Sequence, residues 1–531
     1  MRLYNKLFAS RAALSFFVMM ILFLVCVLRV AVITLSENYI QIQSEQASLK
    51  INISRLRGTI YDCNMVPLTN STLKTIAAVP PTDLSIMTIG TEIKEENLEL
   101  INELKKDLPI VCEVENEINT SGIVTTKVYT NSEKISACHL IGYTDSTGHG
   151  VSGLELAYDE LLYSDKFASA VFTTDGKGNV LEGIDPYFEN DLSIVHSGVV
   201  TTIDVNMQTI VENALTKLNS GCAIVSEVST GKIRALASVP TYDTNNIVAS
   251  LNNENSPMIN RALEAFNIGS IFKPIIAAAA IENGYMNHTF ECSGSTKIID
   301  RNFRCHKITG HGEMDIKNAL AQSCNCYFYD IAIMLGKEKV YNYMSSISLG
   351  NKIFIANNLY SKAGKTTSID SLTNDASIAN LSIGQGDLLA SPVAMLNLYS
   401  AIANGGSYIL PSVVEKTIKD GAESRVDISY PTFVMNSQTA YVLREYLKTV
   451  ITEGTGQEAK TQNCIAAGKT ATAQTGRYYD DGTEITNSWF CGFFPADAPQ
   501  YVVVVMSDSK SNVSTASIFA QIADEITVLY G

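Results

Sequence analysis

An apolar segment near the N-terminus constrains this chain more than any other feature of its sequence. Residues 12–28 are almost unbroken in apolar character, and after Arg29 the apolar residues continue over 30–35. That length is enough to cross a bilayer as a helix, with the Arg29 side chain reaching toward one interface. Basic residues precede the segment, so its N-terminus is expected in the cytoplasm and everything after about residue 36 outside. We predict a cytoplasmic tail over 1–11 and an uncleaved transmembrane anchor over 12–35; a cleaved signal peptide is the alternative.

The rest of the chain is long and acidic. At 531 residues it exceeds one ordinary core, so two or three domains are expected. The formal net charge of -15 argues against a surface that binds nucleic acid. The sequence pattern changes at about residue 196, where strand and buried-helix patterns begin. We therefore predict one module over 36–195 and a second domain over 196–531.

Ser270 opens a long apolar helix pattern in the second domain. The apolar run Ile275–Ile281 follows it and ends at Gly284, and Pro274 is tolerated because it falls in the first turn. Residues three apart share a helix face, so the Lys273 amine can approach the Ser270 hydroxyl as a base beside a nucleophile. The spacing alone is weak evidence, because it recurs at Ser71/Lys74, Ser229/Lys232 and Ser507/Lys510.

Two further polar groups interrupt apolar surroundings. Ser323 and Asn325 lie between the apolar helical segments 316–322 and 327–335, where they form either a satisfied loop or part of a cleft. Lys469 lies in an otherwise apolar strand, which is costly unless the lysine is paired or functional. A second Gly-Lys-Thr, at residues 364–366, lies in a polar stretch and is interpreted as a loop.

Five segments have strand patterns that predict one antiparallel sheet flanked by helices. Two of them flank a Ser-Thr-Gly turn and form a predicted hairpin. The segments are 222–228, 232–239, 464–473, 488–494 and 501–506, and a final helix is predicted over 514–530.

Three motifs occur in one order along the chain: Ser270-x-x-Lys273, Ser323-x-Asn325 and Lys469-Thr470-Ala471. In the identity and order of these motifs, the sequence resembles the penicillin-binding proteins, specifically the bitopic class B D,D-transpeptidases that cross-link peptidoglycan. Further matching segments extend the resemblance over nearly the whole chain: Arg57-Gly58-x-Ile60-x-Asp62, Gly153-Leu154-Glu155, Asn260-Arg261-Ala262, His311-Gly312, Gly384-Gln385-Gly386 and Trp489-Phe490-x-Gly492-Phe493. It implies an α+β protein with a transmembrane helix, an elongated pedestal or dimerisation module, and a C-terminal penicillin-binding or β-lactamase-like transpeptidase domain.

The resemblance also implies a role for each motif residue. Ser270 would attack the penultimate D-alanine carbonyl of a stem peptide, and Lys273 would act as the base. Ser323 would relay a proton to the leaving amine, while Asn325 would hold Lys273 and the substrate backbone. Lys469 would supply positive potential.

The strand that follows Lys469 would bind the substrate. The hydroxyls of Thr470 and Thr472 would receive the terminal carboxylate, and the backbone N–H groups of Ser270 and Thr472 would form the oxyanion hole. Ala471 departs from the family, which usually has glycine there, so its methyl group is expected to narrow the approach of substrate.

The same resemblance implies the partners. These are stem peptides ending in D-Ala-D-Ala, β-lactams as covalent inhibitors, the membrane, a glycosyltransferase and proteins of division, elongation or sporulation. No cofactor, metal ion or nucleic acid is expected. Three alternatives stay open: a catalytically weak scaffold of a cell-wall complex, a β-lactamase or β-lactam sensor, and a D,D-carboxypeptidase.

The cysteines and histidines receive no catalytic role. The 11 cysteines are scattered without paired Cys-x-x-Cys motifs, which argues against a zinc module. Cys292 and Cys305 are expected either to form a disulfide or to remain buried thiols. Cys324 and Cys326 are interpreted as small core residues, and His311 as a structural hydrogen-bonding group.

Overall fold

The computed structural model describes residues 2–35, 47–92, 99–118, 122–132, 135–189, 197–244 and 246–531. The chain packs as two units. The first contains Met1–Leu56, Thr72–Thr130 and Asp165–Asp191, and the second contains Arg57–Ser71, Asn131–Ser164 and Leu192–Gly531. The boundaries predicted at residues 36 and 195 fall outside the described residues and stay predictions.

The N-terminal apolar segment forms one helix, Arg2–Leu35. Its portion Ser10–Thr34 is long and apolar enough to cross a membrane. At about 1.5 Å per residue, these 25 residues extend about 37 Å, more than the hydrocarbon thickness of about 30 Å. By length and composition the helix therefore fits the membrane anchor predicted over 12–35.

The remainder of the first unit contains two small antiparallel sheets. In one, Phe167–Thr173 lies between Ser48–Arg55 and Tyr187–Glu189. In the other, Thr72–Val79 lies between Ile110–Val114 and Val124–Thr130. The helices Asp83–Glu92 and Ile101–Leu104 complete the described elements of this unit.

A five-stranded antiparallel sheet forms the centre of the second unit, as the sequence predicted. Its strands in spatial order are Ile233–Val239, Gly221–Glu227, Tyr501–Ser507, Glu484–Phe494 and Ala467–Tyr478. The last two strands extend beyond the predicted segments, to Tyr478 and back to Glu484. That extension is polar and mostly exposed, so no apolar alternation indicated it.

Both faces of this sheet are covered. Val503 and Val505 point to one face, where they join a core with the helices Val205–Leu215 and Thr515–Tyr530. Val502 and Val504 point to the opposite face and the core that contains the apolar helix after Ser270. A strand that is buried on both faces has no polar alternation, which explains its continuous apolar run.

The other elements of the second unit are mostly short. Its further helices are Cys138–Ile141, Gly153–Ala157, Asp159–Leu162, Ile247–Leu251, Lys273–Glu282, Ile316–Ala321, Asn325–Leu335, Lys337–Ser346, Asp375–Ser382, Pro392–Ala403 and Ser437–Thr452, with 3-10 turns at Gly269–Phe272, Ile369–Ser371 and Gln457–Ala459.

One further sheet has four strands, Thr59–Tyr61, Gly198–Thr201, Val414–Lys419 and Ala422–Arg425, and its first pair is parallel. The remaining strands form pairs: Phe266–Asn267 with Leu389–Ala390, Phe290–Cys292 with Gly312–Met314, Ser295–Ile298 with Arg301–Arg304, Phe354–Ala356 with Leu359–Tyr360, and Ser407–Tyr408 with Thr432–Phe433.

Candidate active site

Ser270 lies where a 3-10 turn becomes an α-helix. The turn is Gly269–Phe272, and the helix Lys273–Glu282 follows directly, with Pro274 in its first turn. The helix is buried from Lys273 to Ala280, so its alanines and isoleucines pack in the core. The predicted helix after Ser270 is thereby confirmed, and it fixes the serine at one end of a rigid element.

Gly269 allows the chain to approach the neighbouring strand closely. Its φ is +61°, a conformation that glycine adopts without strain. A Cβ atom there would lie 3.1 Å from the Cβ of Ala473. The Gly269 N–H also donates a hydrogen bond of 3.0 Å to the carbonyl oxygen of Gly384. The backbone immediately before Ser270 therefore lies close to the strand Ala467–Tyr478 and is hydrogen bonded to the turn at Gly384.

Two aromatic residues hydrogen bond to the backbone around Ser270. Nothing in the sequence near either aromatic residue indicated this contact. The indole N–H of Trp489 donates to the carbonyl oxygen of Asn267 at 2.8 Å. The hydroxyl of Tyr399 donates to the carbonyl oxygen of Ile271 at 3.0 Å. Both side chains are fully buried, where a buried polar tip needs a partner, so these bonds tie the serine turn to the core from two sides.

Lys273 is fully buried and held by the Ser-x-Asn motif. Its Nζ donates to the carbonyl oxygen of Ser323 at 2.7 Å and to Asn325 Oδ1 at 2.7 Å, and lies 3.3 Å from Ser323 Oγ. Burial lowers the pKa of the amine to about 7, because desolvation disfavours its charged form. Within the described residues, no hydrogen bond joins this amine to Ser270, although both residues lie in one turn of chain.

Ser323 and Asn325 occupy a tight turn ahead of a buried helix. Ser323 has a φ of +54°, which costs about 1–2 kcal/mol for a residue other than glycine. Cys324 precedes the helix Asn325–Leu335 at its N-cap position. The turn directs both Ser323 oxygens and the Asn325 amide oxygen toward Lys273. The sequence left open whether this motif forms a hydrogen-bonded loop or part of a cleft, and the structure places it in a cleft.

Lys469 is the second buried lysine of the site. It lies on the edge strand Ala467–Tyr478, and its Nζ donates to the carbonyl oxygen of Thr470 at 3.0 Å. Burial, and then the charge of Lys273, lower the pKa of Lys469 well below its usual range. Two buried ammonium groups repel each other, so the pair does not readily carry two positive charges.

The next three residues alternate along the strand. Thr470 is partly exposed and Thr472 is exposed, and the hydroxyl of Thr470 hydrogen bonds to that of Thr455 at 2.7 Å. Ala471 is only 7% exposed, and its methyl carbon lies 3.6 Å from the position that a Cβ on Gly269 would take. Its methyl therefore lies between the strand and the serine turn.

These residues surround one cleft of about 780 Å³. The predicted site residues that line it are Ser270, Ser323, Asn325, Thr470, Ala471 and Thr472. Lys273 and Lys469 lie buried beside it, with no exposed side-chain surface. The structure thus brings the residues of all three motifs together, in an arrangement suited to a nucleophile, a neutral amine base and a surface for a carboxylate.

A group of cysteines and one histidine lies next to the Ser-x-Asn turn. Within the described residues, the ligand atoms of Cys292, Cys305, His311 and Cys324 all lie within 4.8 Å of one another, which is close enough to hold a metal ion. Because the fold brings these side chains together from separate segments, the lack of Cys-x-x-Cys pairs does not by itself exclude a metal site. The only sequence signal was a set of cysteines and a histidine between residues 292 and 324.

Comparison with known proteins relates the second unit to one family. The family model described as "Penicillin binding protein transpeptidase domain" matches residues 221–527. That range covers the whole five-stranded sheet and all three motifs.

Curated relatives include Stage V sporulation protein D of Bacillus subtilis, which is 29% identical over 394 residues, covering 70% of this chain and 58% of that protein. Peptidoglycan D,D-transpeptidase MrdA of Acinetobacter baumannii is 26% identical over 408 residues, covering 70% of this chain and 59% of that protein. The chain therefore spans less than two thirds of the length of these relatives.

Solved structures share the fold. Penicillin-binding protein 3 of Mycobacterium tuberculosis, in complex with aztreonam, superposes with a TM-score of 0.65 at 23% identity, over 91% of this chain and 97% of that one. The D,D-transpeptidase domain of a peptidoglycan glycosyltransferase from Eggerthella lenta gives 0.65 at 21% identity, over 90% of this chain and 100% of that one. At such identities the likeness establishes the α+β fold.

Proposed function

The chain belongs to the penicillin-binding protein transpeptidase family, and from that premise we propose that it is a class B peptidoglycan D,D-transpeptidase that acts through an acyl-enzyme on Ser270. One observation carries the proposal: the buried Lys273 amine, one helical turn from Ser270, is held by Ser323 and Asn325 and has a pKa lowered to about 7. An amine that is neutral near physiological pH can accept the proton of a serine hydroxyl.

In the first half of the reaction, the neutral Lys273 amine takes the proton of the Ser270 hydroxyl. Ser270 Oγ then bonds to the carbonyl carbon of the penultimate D-alanine. The backbone N–H groups of Ser270 and Thr472 stabilise the oxyanion of the tetrahedral intermediate. Collapse breaks the peptide bond, and the proton passes by way of Ser323 to the departing amine of the terminal D-alanine. An ester of Ser270 remains.

In the second half, the amine of another stem peptide attacks this ester. A new peptide bond forms, Ser270 Oγ takes back a proton, and two peptidoglycan strands become cross-linked. The side chain of Asn325 accepts a hydrogen bond from Lys273, so it holds the Lys273 amine in place and also positions the substrate backbone. Water as acceptor in place of the amine would make the chain a D,D-carboxypeptidase.

The substrate carboxylate binds along the edge strand. The exposed Thr472 hydroxyl and the partly exposed Thr470 hydroxyl face the cleft and donate to the carboxylate. Lys469 is driven toward its neutral form by burial and by Lys273. An arriving carboxylate favours the protonated form, so Lys469 supplies positive charge when substrate is bound.

The same proposal extends to the setting of the enzyme. The helix Arg2–Leu35 anchors it in the membrane with the N-terminus in the cytoplasm and the catalytic domain outside. Its substrates are stem peptides ending in D-Ala-D-Ala, and β-lactams acylate Ser270 in their place. A glycosyltransferase and proteins of division, elongation or sporulation are its proposed partners.

Acylation of the full chain in detergent tests the proposal. The protein is incubated with a β-lactam, and intact-mass spectrometry, peptide mapping and a time course locate and follow the adduct. We expect one adduct, on Ser270, that decays slowly. The variant Ser270→Ala should form none, whereas the matched control Ser229→Ala, which removes an exposed serine with the same spacing to a lysine, should behave as wild type.

Other results would point to other functions. Rapid loss of the adduct with release of hydrolysed drug would indicate a β-lactamase. Absence of any adduct would contradict the assignment of Ser270 as nucleophile and favour a scaffold. Incubation with a stem pentapeptide and an acceptor amine then distinguishes a transpeptidase, which forms the cross-linked product, from a carboxypeptidase, which only hydrolyses the peptide.

A further inference from the structure

A buried group of thiols and one imidazole lies directly behind the Ser-x-Asn turn. Cys292 ends the strand Phe290–Cys292, and Cys305 follows the strand Arg301–Arg304. His311 precedes the strand Gly312–Met314, which pairs with the strand of Cys292. Cys324 lies between Ser323 and Asn325. Four separate segments therefore meet at one point, and none of these side chains has a part in the proposed reaction.

The distances within this group match tetrahedral coordination. The Nδ1 atom of His311 lies 3.6 Å from Cys292 Sγ and 3.5 Å from Cys305 Sγ. The sulfurs of Cys305 and Cys324 are 4.0 Å apart. A zinc ion with usual bond lengths separates two sulfur ligands by about 3.8 Å, and a sulfur from a nitrogen by about 3.6 Å. Three of the six separations are therefore close to the tetrahedral values, and the other three are at most 4.8 Å.

The surroundings also suit bound thiolates. Cys292, Cys305 and Cys324 are buried, and the imidazole of His311 is partly buried. The backbone N–H of Asn325 donates to Cys305 Sγ at 3.4 Å. Hydrogen bonds to ligating sulfurs orient them and tune the metal. All cysteines are free thiols, and no pair of sulfurs in this group is bonded as in a disulfide.

We propose that Cys292, Cys305, His311 and Cys324 bind one zinc ion, and that this ion fixes the turn that carries Ser323 and Asn325. Three thiolates and one imidazole form a closed ligand set that leaves no open position, which is typical of structural zinc. The ion therefore has no part in the chemistry of the cleft.

The positioning role follows from the connections of the turn. Ser323 has a strained φ of +54° and is followed at once by the ligand Cys324. Asn325 is attached to the group by its N–H and to Lys273 by its side chain. A zinc ion that holds Cys324 against residues 292–311 therefore also keeps the Lys273 partners in place. This second part of the inference rests on the proposed function, whereas zinc binding does not.

Metal content tests the site without any turnover. The full chain, purified in detergent under reducing conditions without chelator, should contain about one zinc ion per chain by elemental mass spectrometry. After chelation, added Co²⁺ should produce the visible and thiolate charge-transfer bands of tetrahedral cobalt. Cys292→Ser should lose the zinc. The matched control Cys464→Ser removes a thiol that packs against the core on the opposite face of the sheet, outside the ligand set, and should retain it.

Three results would overturn the site. The first is a wild-type chain that contains no zinc and takes up neither Zn²⁺ nor Co²⁺. The second is a loss of zinc in Cys464→Ser with retention in Cys292→Ser. The third is a disulfide between two of the four positions. It would lower the mass of the chain by two hydrogens until a reductant is added, and peptide mapping would find two of these peptides joined.

Acylation kinetics of the wild-type chain test the positioning role. Rapid mixing with a β-lactam separates the dissociation constant of the first complex from the rate constant of the covalent step. Removal of zinc should slow the covalent step by about tenfold or more and leave the dissociation constant within about twofold, with recovery on adding zinc. An unchanged covalent step in zinc-free protein would overturn the positioning role. A chain that binds zinc but forms no adduct even when loaded would contradict the proposed function alone.

Discussion

The protonation state of Lys273 is decided by its burial. A lysine in water carries its proton up to about pH 10, but desolvation lowers the pKa of Lys273 to about 7. Ser323 and Asn325 accept hydrogen bonds from the amine, which keeps it oriented in either protonation state. The residue therefore changes from its acid form to its base form near neutral pH.

We expect the acylation rate to rise with pH through about 7. Below that value Lys273 is protonated and unable to accept the Ser270 proton, and above it the amine is neutral, so the rate should rise by about tenfold between pH 6 and pH 8. The measurement is the rate of adduct formation with one β-lactam at each pH. Lys273→Gln should reduce the rate by about 10² or more. The control Lys232→Gln removes a partly buried lysine with the same spacing from a serine and should keep the wild-type profile. A flat profile in wild type would contradict the assignment of Lys273 as base.

The methyl group of Ala471 distinguishes this cleft from the usual pattern of its family. It lines the cleft and also lies beside Gly269. Ala471→Gly is expected to speed acylation by about fivefold, equivalent to about 1 kcal/mol of barrier, because substrate then comes closer to the strand. It should also lower the free energy of unfolding by about 0.5–1 kcal/mol, because glycine gains more freedom on unfolding.

Ala473→Gly is the matched control for this change. Ala473 lies on the same strand face and near the same glycine, but it is not among the residues that line the cleft. It should show a similar loss of stability with no gain in acylation rate. If Ala471→Gly leaves the acylation rate and inhibitor affinity unchanged, the methyl group does not restrict the cleft.

At the scale of elements, the turn before the serine helix connects the sheet to the nucleophile. Gly269 has a φ of +61° and close neighbours, whereas Gly284, after the same helix, has a φ of +86° and nothing within 4 Å of a Cβ position. Substitution by alanine costs about 1–2 kcal/mol in this region of φ for either residue. Only at Gly269 does the added methyl also press on the strand that borders the cleft.

We therefore expect Gly269→Ala and Gly284→Ala to lower the free energy of unfolding by similar amounts, with a further loss at Gly269. Only Gly269→Ala should slow acylation, by about tenfold or more, because it moves Ser270 relative to the strand. Denaturant unfolding and adduct formation measure the two effects. Equal acylation rates in the two variants would show that the turn does not set the position of the serine.

The main elements were predictable because their patterns are local. The strand Tyr501–Ser507 is a continuous apolar run, and the helix Pro392–Ala403 begins at a proline and ends before glycines. The ends of the strands near Tyr478 and Glu484 were missed because they are polar and pair beyond the core. The two-residue strands that pair Phe266 with Ala390 have no periodicity at all.

The candidate site was predictable only in part. The three motifs identified Ser270, Lys273 and Lys469, since each stands out from its apolar surroundings. The hydrogen bonds of Trp489 and Tyr399 to the serine turn join residues more than one hundred positions apart, and no local pattern encodes them. The cluster around Cys324 was missed for the same reason, because its ligands become neighbours only when four segments fold together.

At the scale of the whole molecule, the N-terminal apolar helix indicates a membrane anchor. Arg2–Leu35 contains 25 residues long and apolar enough to span a bilayer. Insertion of such a segment into a membrane places the residues that follow it on one side of that membrane. The side is chosen by the basic residues that flank the apolar stretch, since cytoplasmic flanks carry the excess of lysine and arginine.

The orientation is expected to depend on the basic residues before the span. In intact spheroplasts, added protease should digest the chain after the anchor and leave a tag at the N-terminus protected, because the positive flank remains in the cytoplasm. Replacing Arg2, Lys6 and Arg11 together by glutamine should place part of the population in the opposite orientation, with the tag exposed. As a matched control, replacing three lysines far from the span in sequence, Lys337, Lys339 and Lys352, should leave the pattern unchanged. Protection of the catalytic domain in wild type would contradict the proposed topology, because a transpeptidase must reach peptidoglycan outside the membrane.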